Sequence, residues 1–322
     1  MKYELSIVIP LLNEEKNIQM LYTKLKDLLK RNKIKHEIIF IDDGSTDNSF
    51  NELKILHNKD KDVKIIQFTK NFGKSAALNA GFKIALGGII ITMDADLQDD
   101  PEEIPNFIKK INEGYDLVGG WRYKREDCFS KRLSSNFFNL LVVLFTGARV
   151  HDNNCGFKAY KQPVAKNLNI YGELHRFIPV LAKWKGYKSG EIKIKHYPRA
   201  YGRSKYGFSR LLYGFLDLIT IKFLTTYLKK PAHLFGVVGL VFCFIGSLFG
   251  FYLTRLWYRG VIIWNRPLLI FTALLIITGV QFISFGLLAE MLVSGREKGE
   301  YVIKDIIGCH GRKNFKYNQG EH

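Results

Sequence analysis

No GxGxxG follows the first strand-like run of this chain, and neither GxxxxGKS nor GxxxxGKT occurs anywhere in it. A dinucleotide fold or a P-loop enzyme would lack its phosphate-binding glycines, so any bound phosphate must be held by a cation and by basic side chains. Cysteine is scarce. The four present, Cys128, Cys155, Cys243 and Cys309, have neither paired nor metal-type spacing, and reduced thiols fit best. Acidic residues number 30 against 48 basic ones, and the net charge of +18 predicts acidic partners: nucleic acid, anionic headgroups or phosphorylated small molecules. There is no internal repeat and no low-complexity segment. Residues 1–10 form a short strand-like run followed by the polar LLNEEKN rather than a secretory signal, so the first 230 residues are expected in the cytosol.

Against these absences stand two uncharged runs, residues 234–253 and 267–289. Each is long enough to cross the roughly 30 Å apolar core of a bilayer as a helix. They predict an integral membrane protein, in the plasma membrane of a prokaryote, with membrane lipid as a partner and no nucleic acid. Arg210, Lys222, Lys229 and Lys230 precede the first run, Arg296, Lys298 and Lys304 follow the second, and Arg255, Arg259 and Arg266 lie between. By a small margin this places both termini in the cytosol. Gly246 and Gly250 form a GxxxG able to pack helices within or between protomers, so a homo-oligomer is an open expectation. Residues 208–228 are apolar but carry Arg210, Asp217 and Lys222, which favours a helix lying along the membrane over a third span.

Strand-like and helix-like runs alternate through residue 119, which predicts an α/β fold with a parallel sheet and helices on both faces. Polar clusters follow five strand-like runs: Asn13-Glu14, Asp42-Asp43, Lys70-Asn71, residues 94–98 and Trp121-Arg122. Ligands of such sheets lie beyond the carboxyl ends of the strands, so these clusters should line one crevice. The fourth, after residues 89–93, IIITM, a buried strand by composition, is the centre of the arrangement. Asp94, Asp96 and Gln98 stand two apart and would project to one side of an extended chain, a donor set for Mg²⁺ or Mn²⁺ carrying a diphosphate. Turn chemistry accounts for Asp99 and Asp100, which precede the helix-starting Pro101, better than for Asp94 and Asp96. His36 and His196, lacking a second histidine at helical spacing, read as surface or strand residues.

IVIPLLNEE, IDDGSTD, NFGKSAALNAG, MDADLQDDPEEIP and DNNCGFKAY resemble the family-two glycosyltransferases. With the two trailing apolar runs, the resemblance is to the membrane-anchored polyprenyl-phosphate members, relatives of the dolichyl-phosphate mannose synthases and bacterial undecaprenyl-phosphate glucosyltransferases. It implies a GT-A nucleotide-sugar-binding domain over residues 1–206, an interfacial helix over 207–230, a two-helix anchor over 231–293 and a cytosolic tail over 294–322. Pro10, Leu12 and Glu14 would line the base and ribose pocket, with Asp43 accepting from the uracil of a UDP-sugar. Lys74, within NFGKSAALNAG, joins this donor-binding set. Asp94, Asp96 and Gln98 would be the metal and diphosphate site, and Arg122, Arg132, Arg199, Ser204 and Lys205 would surround the donor diphosphate and the lipid phosphate. Asp152 matches an acid sometimes proposed as a base; orienting Arg or Lys side chains and capping a turn are its alternatives.

The reaction so implied is inverting transfer of a sugar, glucose by preference with N-acetylhexosamines and mannose open, to an undecaprenyl or dolichyl phosphate. A phosphate monoester has its second pKa near about 6, so the nucleophile is largely anionic at neutral pH and needs no base. What the reaction needs is neutralisation of the leaving diphosphate, expected from a cation on Asp96 and from fixed guanidinium donors. No glutamine begins a QxxRW, which implies single transfer. The alternatives are a metal-dependent transferase with another lipid or glycan acceptor and a non-catalytic membrane scaffold.

Overall fold

Residues 3–123, 151–197, 231–262 and 267–296 are described by a computed structural model, in which the chain divides into two units at residues 228 and 229. The strands of the first are β1 (Leu5–Leu11), β2 (His36–Asp42), β3 (Val63–Gln67), β4 (Ile89–Thr92), β5 (Leu117–Arg122), β6 (Lys158–Lys161) and β7 (Ser189–Ile194). Its helices are α1 (Glu15–Arg31), α2 (Ser49–Lys59), α3 (Lys74–Ile84), α4 (Ile104–Asn112), α5 (Gln162–Asn167) and α6 (Ile178–Trp184).

The strands form one sheet in the order β3-β2-β1-β4-β6-β5-β7. β3, β2, β1 and β4 run parallel, as do β5 and β7, while β6 is antiparallel to both of its neighbours. The sheet is therefore mostly parallel, as expected, with β6 as its one antiparallel strand among the described residues. KAYK has only four residues, too short for a periodic signal, and its place is decided by the strands on either side.

Both faces of the sheet are covered, which explains the near-continuous apolar runs of the parallel strands. Along β1, Leu5, Ile7, Ile9 and Leu11 pack into one core and Val8 into the other, the period of two expected of a strand. The first core takes Ile18, Leu21, Leu25, Leu28 and Leu29 of α1, Leu53 and Leu56 of α2, and Ile104, Phe107 and Ile111 of α4. The second takes Ala77, Leu78 and Phe82 of α3 and Ile178 of α6. Each fully buried Leu, Ile or Phe is worth about 1.5–3 kcal/mol relative to exposure.

The second unit contains α7 (Pro231–Tyr258) and α8 (Pro267–Arg296), both long and apolar enough to cross a membrane. They pair closely because small residues meet at their contact. A Cβ on Gly239 would lie 2.5 Å from the carbonyl oxygen of Gly279, and one on Gly246 would lie 2.7 Å from Ile276. Gly246 of the GxxxG is thus used within the chain. The side chains of Thr254, Thr272 and Ser284 donate to carbonyls four residues back, and Glu290 accepts from the N–H of Ala232 at 3.1 Å, satisfying the start of α7.

Candidate active site

The parallel strands β1 to β4 deliver their carboxyl ends to one rim of the sheet, and β5 ends on the same side. Because β6 runs the other way, its beginning rises to that rim too. The inversion brings residues 152–157 beside the carboxylates that end β4.

At the end of β1, Pro10 pairs in register with Ile41, Leu12 is half-buried, and the chain turns through Asn13 at φ +55°. Asn13 Oδ1 accepts from the N–H of Thr46 at 2.8 Å, and the N–H groups of Asn13 and Glu14 donate to the hydroxyls of Ser45 and Ser49, each at 2.9 Å. Glu14 also accepts from Asn17 Nδ2 at 2.6 Å. The β2 acids are similarly wired. Asp42 accepts from the N–H of Ser45 at 2.9 Å, while Asp43 accepts from the N–H groups of Phe72 and Gly73 at 2.7 and 3.0 Å. Burial pushes the Asp43 carboxyl above its ordinary value, against the pull of the two amides, and Asp42 adds to the rise. Gly44 stands at φ +76°, and a Cβ there would come within 2.5 Å of the Lys70 carbonyl carbon. The acid pair and this glycine hold loop 70–73 against the end of β2.

The chain after β4 is not extended. It leaves the strand after Thr92, turns at Ala95 and Asp96, and passes through Leu97 at φ +61°. Spacing by two therefore does not align Asp94, Asp96 and Gln98 as expected. Asp94 receives the Lys74 ammonium at 2.5 Å, and a Cβ on Gly156 would stand 2.7 Å from its carboxylate oxygens. Asp96, 7% exposed, accepts from the N–H of Gln98 at 3.2 Å. The Gln98 side chain instead donates to the carbonyl of Tyr197 at 3.3 Å. Burial alone would raise the Asp94 carboxyl, but Lys74, with weaker help from Lys158, holds it below the usual carboxylate range. Asp100 caps the following turn through the N–H of Glu102, at 3.1 Å, as turn chemistry requires. Asp99 does not: it is buried, bridges to His196, and is pushed up by burial and by Asp94 despite His196 and Arg122.

Arg122, ending β5, holds Asp152 in a two-pronged pair at 2.6 and 2.9 Å. Burial would disfavour the guanidinium charge, and Asp152 more than offsets it. Glu191 of β7 accepts from the backbone of His151 and Asp152 and from the His151 ring, which stacks on Trp121 with centroids 4.1 Å apart. Arg132, Arg199, Ser204 and Lys205 lie outside the described residues, as do the expected interfacial helix and carboxyl-terminal tail.

Two residues that the motifs did not single out belong to the site. Lys158, at the start of β6, is 3% exposed and donates to the carbonyls of Cys155 and Asn153, fixing the stretch that places Gly156 under Asp94. Burial lowers its ammonium from the ordinary lysine value. His175 meets the Ser75 hydroxyl at 3.0 Å, and burial with Lys74, Arg176 and Lys158 pushes its imidazole down to about 2, so it is neutral. Alternation along Phe157, Lys158, Ala159 and Tyr160 marks Lys158 as a strand residue, whereas nothing local marks His175, whose partners come from α3.

Among the described residues no three His, Cys, Asp or Glu side chains gather as a metal site. The donor set still suits a hard divalent ion. Mg²⁺ is usually bound by one or two carboxylates with phosphate and water completing its shell, and Asp94, held anionic, and Asp96 offer that number.

A profile of glycosyl transferase family 2 matches residues 6–168. The chain is 36% identical over 317 residues to a dodecaprenyl-phosphate galacturonate synthase of Rhizobium johnstonii, covering 94% of this chain and 93% of the relative. It is 34% identical over 312 residues to an undecaprenyl-phosphate 4-deoxy-4-formamido-L-arabinose transferase of Proteus mirabilis, covering 95% and 94%. Among solved structures, glucosyl-3-phosphoglycerate synthase of Mycobacterium tuberculosis with Mn²⁺, UDP and phosphoglyceric acid has a TM-score of 0.54 at 18% identity, over 69% of this chain and 78% of that one. Mannosyl-3-phosphoglycerate synthase of Rubrobacter xylanophilus gives 0.55 at 14% identity, over 69% and 74%. At these identities the two likenesses concern the fold alone.

Proposed function

The chain belongs to glycosyl transferase family 2 and has the GT-A fold, and on that premise we propose that it transfers one sugar, with inversion, from a nucleotide-sugar donor to a polyprenyl phosphate. The observation that carries this reading is the rim where Lys74, Asp94, Asp96 and the Arg122–Asp152 pair come together beyond the strand ends. Near full-length likeness to two enzymes named for polyprenyl phosphates supports the acceptor. Their names carry galacturonate and formamido-arabinose. They lend no support to the glucose expected from the motifs, and we take an acidic or amino-derived sugar as the better candidate.

A phosphate oxygen of the acceptor forms the new bond to the anomeric carbon as the bond from that carbon to the diphosphate breaks, and the nucleoside diphosphate leaves with the electron pair. At neutral pH the phosphate monoester is largely dianionic, so no proton has to be removed. Asp152 is assigned as the group that orients Arg122, whose guanidinium faces the departing charge. Lys74 is assigned to the donor phosphates, balanced by Asp94. Asp94 and Asp96, with the Gln98 amide as an optional third donor, would hold Mg²⁺ or Mn²⁺, which when bound supplies Lewis-acid charge neutralisation at the diphosphate. Pro10, Leu12, Glu14 and Asp43 are assigned to the nucleoside, with uridine preferred, and Arg132, Arg199, Ser204 and Lys205 to the phosphates. The two apolar helices are assigned as a membrane anchor with the catalytic domain and both termini in the cytosol.

The deciding experiment incubates membranes containing the protein with labelled UDP-galacturonate, UDP-4-deoxy-4-formamido-L-arabinose, UDP-glucose and UDP-N-acetylglucosamine, then extracts the lipid. A metal-dependent, acid-labile sugar-phosphate lipid is the expected product. No lipid-linked label from any donor would refute the reading.

A further inference from the structure

Lys158 is a buried cation that the transfer chemistry above leaves unused. It opens β6, in register with Thr92 of β4 on one side and Gly119 of β5 on the other. Its ammonium donates to the carbonyl of Cys155 and, at 3.4 Å, to that of Asn153. Burial disfavours its charge, while the carboxylates of Asp152 and Asp94 favour it. A lysine is a costly donor to place in an interior, where a backbone N–H or a water ordinarily serves a carbonyl. The two carbonyls lie between fixed points. Asp152, immediately before Asn153, is clamped by Arg122, and Gly156, immediately after Cys155, stands against Asp94. The Gly156 carbonyl accepts from the Thr92 hydroxyl at 2.7 Å. Asn153 is fully buried, yet neither polar atom of its side chain has a hydrogen-bond partner among the described residues, so that side chain does not hold the stretch. Lys158 and Thr92 hold it through the main chain.

We propose, resting on the transferase reading above, that Lys158 is a positioning residue: by tying the carbonyls of Asn153 and Cys155 it fixes the spacing between the Arg122 guanidinium and the Asp94 carboxylate, which must meet one donor diphosphate together. A backbone shift at residue 153 moves the partner of Arg122, and one at residue 156 moves the wall behind Asp94. A misplacement of about 1 Å is enough to cost on the order of 10²-fold in turnover. The role lies in the hydrogen bonds Lys158 donates, so a neutral donor keeps part of it and an apolar side chain keeps none.

The test uses the full-length protein in detergent, Mn²⁺, a short-chain polyprenyl phosphate and the UDP-sugar that the membrane assay selects. The variants are Lys158→Met, Lys158→Gln, Thr92→Val and, as a control on the same strand, Lys161→Met, whose lysine pairs with Asp116. Beside kcat and the KM of each substrate, alkylation of Cys155 by a maleimide is followed by peptide mass spectrometry, because that thiol is 1% exposed and sits in the tied stretch. Lys158→Met is expected to lower kcat about 10- to 100-fold with acceptor KM little changed, while its thermal transition stays well above the assay temperature. Its Cys155 should be labelled about tenfold faster or more, as local opening requires. Lys158→Gln and Thr92→Val should fall between this variant and the unaltered protein in both measures, and Lys161→Met should match the unaltered protein. An unchanged kcat in Lys158→Met would overturn the assignment. So would a Lys158→Gln as slow as Lys158→Met with Cys155 still protected, since charge and not the ties would then be the cause. Should both Lys158 variants fail to fold, Thr92→Val decides, and unchanged kcat and protection there would refute the proposal. If the unaltered protein transfers no sugar to the lipid, the transferase reading itself has failed, and Cys155 protection still reports whether Lys158 ties the stretch.

Discussion

Asp43, at the end of β2, gives both carboxylate oxygens to backbone amides, those of Phe72 and Gly73, whereas Asp94, at the end of β4, faces the ammonium of Lys74. Both follow buried strands and both sit in Asp-rich motifs. Their proton affinities move in opposite directions. Neutral N–H donors do not fully replace lost water, so burial wins at Asp43 and its carboxyl rises, while a full positive charge at Asp94 outweighs burial and its carboxyl falls. The first acid braces loop 70–73 beside the nucleoside to which it is assigned. The second is balanced by a mobile side chain, and a side chain can be redirected when phosphate arrives.

The largest test of this contrast is Asp94→Asn, with Asp96→Asn beside it. Removing charge at the catalytic rim is expected to lower transfer on the order of 10²–10³-fold. Tm should change little. If instead Tm collapses with activity, Asp94 is architecture too and the contrast fails. Asp43→Asn should lower stability more than Asp94→Asn does, and weaken nucleotide binding as well. One amide oxygen replaces two acceptors and an NH₂ group confronts a backbone N–H, costing about 1–3 kcal/mol in urea unfolding, because the site is nearly buried. A smaller effect is expected from Gly156→Ala, whose Cβ would collide with the Asp94 carboxylate. Overpacking there costs about 1–3 kcal/mol if the neighbours stay, less if Asp94 swings aside. Activity should then fall while stability is largely kept, which kinetics and Tm read separately.

The smallest expected effect is in pH dependence. Asp94 has a depressed carboxyl, so its contribution to stability is present above the unfolded value of about 4 and is lost as pH falls through the folded value. Asp43 has a raised carboxyl, and its contribution is present at low pH and lost as pH rises through the folded value. In Lys74→Met the cation that outweighs burial is gone, so the Asp94 carboxyl should rise and, like that of Asp43, cease to contribute an acid-side loss of stability. Tm measured from about pH 3 to about pH 6 should show a shallower acid fall for the variant. Superimposable curves would remove Lys74 as the cause of the Asp94 shift.

Much of this was legible in the chain. The strand and helix runs through residue 119 appear where the apolar periodicity places them, and the two long uncharged runs are the helices α7 and α8. Asp100 caps its turn as a residue before Pro101 should. Three features were not legible. β6 is four residues long and reverses direction because of the strands flanking it, so no local pattern announces it. Asp99 reads as turn chemistry in isolation, but His196 arrives from a distant segment and makes it a buried partner. His175 is held neutral well into the acid range by burial and by three cations that only folding brings beside it.

Composition and motif order alone determined the α/β class, the apolar helix pair and the family, since each depends on residue type and spacing along one segment. Tertiary structure alone decided which acids face cations and which face amides, that Asp152 meets Arg122, and that the turn after β4 is tied to Tyr197. Those outcomes depend on distances between segments far apart in the chain, and electrostatic and hydrogen-bond energies are set by such distances.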